Sequence, residues 1–272
     1  MADALTDYAE NQLINHLFRT ASFSAPATLY FGLFTAAPTD TGSLTNEVSG
    51  GNYARVSVTV GDSYFAATAV DGSNYTYTTN SGTITFPTPS ASWGTVTYWG
   101  MMDSATLGAG NMLAYGALTN SKVIGASDPA PQFPVGALSF GIKTTSTYLD
   151  GAIINHLFRT TKISKPSNVY AALLTGTGPW TEVSAGGYGR VTTAVSDANF
   201  AATSGGNGQT TNNNAITFGS PTADWGAITA VRLYDAGSSG NILAHATFAA
   251  KNVNNGDSAP SIVASALTIA LA

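Results

Sequence analysis

The chain has 272 residues, of which only 10 are Lys or Arg and 15 Asp or Glu, about a third of the charge density of an ordinary soluble domain. Ser and Thr number 63 and Gly 29, and the formal charge is −5. No apolar run approaches the ~18 residues of a membrane-spanning helix, and no Lys/Arg cluster suits a phosphate backbone or an anionic bilayer, so neither nucleic-acid binding nor membrane insertion is expected. The absence of Cys removes disulfides and thiolate metal sites. The opening MADALTDYAE lacks the basic and apolar regions of a signal peptide.

In chain order, the first predicted element is a helix, with Thr6 as its cap and Ala9, Leu13 and Leu17 forming one apolar stripe. Arg19 favours the helix C-terminus and Pro26 forbids continuation. Everything afterwards reads as β. TLYFGLFT (28–35) is a buried-strand run, and Val56, Val58 and Val60 alternate with polar residues. Further strands are expected near 83–87, 95–102, 112–119 and 136–142, with hairpin chemistry in DSATLGAGN (103–111).

The series then begins again. INHLFRT occurs at 14–20 and at 154–160, an offset of 140. EVSGGNYAR (47–55) meets EVSAGGYGR (182–190), FAAT (65–68) meets FAAT (200–203), ITF (84–86) meets ITF (216–218), and Trp93-Gly94 meets Trp225-Gly226. A second set of strands is therefore expected near 169–175, 215–219, 227–234, 241–248 and 264–271. The expected fold is mainly β: two tandem homologous sandwich- or barrel-like modules, 1–142 and 143–272, each preceded by one short N-terminal α-helix that closes one end of its own module.

Catalytic chemistry is sparse. His16 and His156 share one repeat position and read as helix residues satisfied by local hydrogen bonds, and His245 reads as a strand side chain. There is no metal-ligand spacing, and Asp71-Gly72-Ser73-Asn74 has too few carboxylates for a calcium loop. Nucleophile elbows and phosphate loops are also missing, and few carboxylates could make a glycosidase pair. Glu47 with Arg55, and Glu182 with Arg190, are placed for a hairpin ion pair across a Gly-rich turn. No catalytic residue, metal or cofactor is expected.

Residues common to both copies serve the fold, so binding residues belong among the differences. Copy one alone has the longer loop 69–82, whose Tyr75 and Tyr77 face one way if extended, and copy two alone has Trp180. Tyr75, Tyr77 and Trp180 are the candidate binding residues, suited to sugar stacking or protein contact. Trp99 reads as core, and the proline segment 129–134 as a rigid edge cover.

The order of these pieces, carried by Asn15, His16, Phe34, Thr35, Glu47, Val48, Gly51, Tyr53, Arg55, Phe86, Pro87, Trp93 and Gly94, resembles a family of small tailed-bacteriophage virion proteins labelled tail-fibre proteins. Copy two repeats it through Asn155, His156, Glu182, Val183, Tyr188, Arg190, Phe218, Trp225 and Gly226, departing at Leu174 and Gly219. The resemblance implies a non-enzymatic structural protein of the virion, surface-exposed as a tail-fibre or capsid-decoration component and made in the host cytoplasm. The alternative is an adhesin that binds a host surface glycan or receptor. The expected partners are other virion proteins and further copies of the chain, with a homotrimer giving six similar modules.

Overall fold

The computed structural model describes residues 4–203 and 208–271. Repeat one comprises β1 (Ala4–Leu5), α1 (Asp7–Phe18), β2 (Thr28–Phe34), β3 (Val56–Thr59), β4 (Ala69–Val70), β5 (Thr76–Thr79), β6 (Ile84–Thr85), β7 (Gly94–Met102), β8 (Met112–Ile124), β9 (Gln132–Phe133) and β10 (Ser139–Ile142). Repeat two comprises α2 (Thr147–Phe158), β11 (Asn168–Thr175), β12 (Thr181–Glu182), β13 (Val191–Ala194), β14 (Gln209–Thr211), β15 (Ile216–Thr217), β16 (Gly226–Tyr234), β17 (Ile242–Val253), β18 (Ser261–Ile262) and β19 (Thr268–Ala270).

Each repeat folds as a sandwich. In repeat one the large antiparallel sheet runs β1-β8-β7-β2-β3, facing a small sheet β10-β5-β4 and the β6-β9 pair. Repeat two builds its large sheet from β12, β13, β11, β16 and β17, with the pairs β14-β19 and β15-β18 in place of the smaller layers. The expected proline-segment cover is thus a paired strand, with Phe133 opposite Ile84. Phe31, Trp99 and Phe140 meet between the layers of repeat one at centroid distances of 5.2–6.3 Å, so Trp99 is core.

The shared motif around Glu47 makes one node in each repeat. Trp93 and Trp225, each 4 % exposed, donate from Nε1 to Gly51 O and Gly186 O at 2.9 Å. Tyr53 and Tyr188 meet these indoles edge-on and stack on Phe86 and Phe218. Gly94 and Gly226 follow at φ +80° and +81°, a left-handed backbone that favours glycine; this accounts for the Trp-Gly step in both copies.

The helices do not close their own modules. Thr6 and Ser146 cap them as Ala9 N–H and Leu149 N–H donate to the two hydroxyls, and each helix touches its own large sheet through β8 or β17. Their other faces cross to the opposite repeat: α1 packs on β14, and α2 on β5 and β10. Arg19 Nη1 donates to Phe200 O at 2.7 Å and its Nη2 lies 3.1 Å from Asp197. Arg159 Nη1 donates to Phe65 O and its Nη2 lies 3.2 Å from Asp62. Thr20 and Thr160 bond the same two aspartates, while Phe18 meets Phe200, and Phe158 meets Phe65 and Phe140. This reciprocity is that of a two-fold interface, formed here inside one chain. The expectation that each helix caps its own module is corrected because the residues receiving INHLFRT lie in the other copy's FAAT segment.

Buried side chains of both repeats accordingly form one continuous core. Trp93→Ala and Trp225→Ala are each expected to cost about 3–5 kcal/mol, as for a large aromatic removed from a core. Urea unfolding followed by tryptophan fluorescence and far-UV circular dichroism will show a single shifted transition for either variant, whereas independently folding repeats would give two.

Candidate functional site

The Glu–Arg pairs lie inside the node. Arg55 Nε and Nη2 each reach Glu47 at 2.6 Å, with the two side chains 0 % and 4 % exposed. Arg55 Nη1 donates to Ser104 O and Ala109 O, clamping the β7–β8 hairpin. Arg190 grips Glu182 at 2.9 and 2.7 Å and donates to Ala236 O and Ser239 O in the β16–β17 hairpin. Leu33 N–H and Leu173 N–H donate to Tyr53 and Tyr188 hydroxyls, which donate onward to the same glutamates. Glu182 is held below the usual carboxylate range, mainly by its hydrogen bonds from Arg190. With both oxygens engaged by a guanidinium, neither glutamate is poised to accept a proton from a substrate.

The candidate binding residues do not converge. Tyr75 and Tyr77 lie not in an open loop but beside and in β5, where Tyr77 pairs with Ala69 and Gly141. Both are half-buried. Tyr75 lies so close over Gly141 that a Cβ there would meet its ring at 2.3 Å. The turn before them is tied by Asp71 Oδ1, which accepts from Ser73 N–H and Tyr75 N–H.

Trp180 is on repeat two, half-exposed over the outer face of the large sheet. Its ring lies 4.4 Å from that of His245, and the Arg232 guanidinium sits 5.5 Å from its centroid. Arg232 Nε donates to His245 Nδ1 at 3.2 Å, and His245 Nε2 is buried without a partner. Sequence reasoning missed Arg232 and His245 as companions of Trp180; adjacency of β16 and β17 puts them opposite each other. In repeat one Gly100 and Tyr115 take these positions, and Phe34, Met102 and Met112 form an apolar cluster with Leu44, Tyr98 and Tyr115 packed against it. Copy two is five residues shorter between strand and glutamate, so the face covered in repeat one is left for Trp180.

A second constellation lies where the helices cross. His16 and His156 face each other at 5.1 Å. His16 Nδ1 accepts from Phe23 N–H, as a local bond should, but its Nε2 lies 3.2 Å from Ile163 O of the other repeat, so the expected purely local satisfaction is corrected. His156 departs from the same expectation: both its ring nitrogens are buried and neither closes a hydrogen bond, because the ring is turned against His16 and Phe23 at the helix crossing. Burial, with lesser repulsion from His16 and Lys162, brings His156 down to about 4; burial also lowers His16. At matched helix positions stand Glu10 and Asp150, both buried. Burial, with lesser repulsion from Asp40 and Asp7, lifts Glu10 to about 7, and burial raises Asp150. Among the described residues no group of three or more His, Asp and Glu could hold a metal ion.

A family model described as podophage GP4 fiber I protein gp80 matches residues 4–141 and again residues 144–270. The chain belongs to this family. It is a phage fibre protein in two tandem copies of the family unit, the class anticipated from the repeated motifs. A search of curated proteins finds no match.

The buried acids and histidines of this fibre protein oppose each other in pH. An unfolded His156 binds a proton below its ordinary 6.5 and the folded one only below about 4, so its contribution is lost as pH falls through that window. Glu10 is the reverse: its folded form holds a proton up to about 7 against an ordinary 4.5, so stability is lost as pH rises through that range. Each shift amounts to roughly 3 kcal/mol. The unfolding free energy of the wild-type chain should vary little between pH 4.5 and 6.5, whereas that of Glu10→Gln should rise by about 2 kcal/mol across this window. A flat profile in Glu10→Gln, measured by urea titration, would contradict the burial of His156.

Proposed function

We propose that this phage fibre protein is a non-enzymatic component displayed on the particle surface, and that the Trp180 face of repeat two is where it meets a host saccharide or receptor. The observation that carries the reading is the division of labour between the copies. The shared Glu, Tyr, Arg and Trp residues close the node, and the shared Asn, His, Arg and Thr of the helices serve the exchange, leaving the copy-specific residues for external contact. Trp180 offers a half-exposed indole, and Arg232, which uses Nε for His245 and lies 5.5 Å from that indole, offers its outer nitrogens as donors beside it. A pyranose ring stacks on such an indole while its hydroxyls accept from the guanidinium. Tyr75 and Tyr77 rank below it because packing against Gly141 and the β4 edge occupies much of their surface.

Two measurements test the two parts. Immunogold labelling of intact virions with antibody to this chain should decorate the tail fibres; label on the capsid instead would make it a decoration protein. The purified chain should adsorb to host cells, with Trp180→Ala lowering adsorption by at least about ten-fold, a change of roughly 1.4 kcal/mol. Adsorption unchanged by Trp180→Ala removes that residue from the contact.

A further inference from the structure

In repeat one the open edge of β8 is covered by β1, with Ala4 opposite Tyr115 and Leu5 opposite Ala114. Thr6 N–H extends the pairing to Leu113 O at 3.0 Å. Leu5 packs against the core, and the space left beside Ala114, Phe140, Gly141 and Ile142 is about 10 Å³. The corresponding positions of repeat two are Thr144 and Thr145, and no strand forms there. Ser146 N–H turns back to Thr144 Oγ1 at 3.2 Å, and a side chain takes the backbone's place on β17, where His245 N–H donates to Thr145 Oγ1 at 3.1 Å. The same region is then an open groove of about 410 Å³, lined by Lys143, Thr145, Leu243, Ala244, Ile269 and Leu271 among others. Exposed Thr145 stands where Leu5 plugs repeat one, and the short polar side chain cannot fill an apolar slot.

We propose that this groove is a docking site for an extended segment of a neighbouring virion protein, which adds as a strand to β17 and seats an apolar side chain in the position of Leu5. Such strand addition draws affinity from the backbone of an edge and specificity from side-chain slots. Repeat one spells out the chemistry of the occupant, a small residue followed by a leucine. Charge narrows it further. Among the described residues Lys143 has no ion pair or side-chain hydrogen bond, and none that lines the groove is an Asp or Glu. In the repeat Lys143 takes the place of Asp3, so the groove suits a segment with an acidic residue just before its apolar pair.

The probe is a fluorescent, end-blocked peptide with the sequence of residues 2–7, Ala-Asp-Ala-Leu-Thr-Asp, titrated into the full-length chain and read by anisotropy. Saturable binding is expected, with slowed amide exchange at the N–H groups of β17 that share its outer edge with His245. Thr145→Leu, which supplies the plug from within, should weaken binding by at least about ten-fold at unchanged circular dichroism. Lys143→Glu should weaken it by several-fold. No saturable binding at millimolar peptide, binding indifferent to Thr145→Leu, or equal binding of a peptide with Asp in place of its Leu would each overturn the proposal. Concentration-dependent self-association abolished by Thr145→Leu would assign the groove to a second copy of the chain, and overturn a different protein as its occupant.

Discussion

The seating of each helix's terminal arginine on the opposite repeat is the constraint on which the rest of the architecture depends. A helix of 12 residues is marginal alone and takes its stability from tertiary packing. Here that packing is divided between the helix's own large sheet and the other repeat's FAAT segment, where Arg19 and Arg159 bond Phe200 O and Phe65 O. The consequence is a core that neither sandwich completes without the other. Joining both repeats in one chain makes the exchange intramolecular, with the high effective concentration that a covalent tether confers.

The low charge of the chain follows from where its cations are used. Of the 10 Lys and Arg, Arg19, Arg55, Arg159 and Arg190 form ion pairs. Lys162 donates to His156 O, and Lys165 to Thr20 O and Ala21 O. Arg232 is bonded to His245. Lys122 and Lys251 sit at matching positions on the long strands β8 and β17, where charge discourages indiscriminate edge pairing. Lys143 is the cation that remains, and it borders the open groove. With so few charges left unpaired, covering this surface desolvates fewer ions than covering an ordinary one.

Local pattern was enough to reveal the repeat, the two helices, the large-sheet strands and the Glu–Arg clamp, since each rests on contacts within a hairpin or on periodicity within an element. The destination of the helices was not legible. Nothing in INHLFRT distinguishes Phe65 from Phe200 as its acceptor, because the copies share FAAT as well, and only the three-dimensional path decides between them. The same limit applied to the binding residues. Loop 69–82 reads as a tip from its Gly, Ser and Asn content, yet Thr76 and Thr78 are buried by pairing with β10 and crossing by α2. Trp180 was visible as a copy-specific residue, but its companions Arg232 and His245 depend on strand register. The groove was hidden for another reason: Leu5 and Thr145 differ by one side chain, whose effect appears only once β1 is seen to be missing from repeat two.

Because the chain contains no cysteine, disulfide trapping tests the helix exchange directly. The pair Asp62→Cys with Thr160→Cys joins positions whose native side chains bond at 2.7 Å, while Asp62→Cys with Thr20→Cys joins the partners that an unexchanged helix would present. Oxidation of the monomeric chain should cross-link the first pair within one molecule and leave the second free. Ready closure of the Asp62–Thr20 pair, with the Asp62–Thr160 pair remaining reduced, would contradict the account.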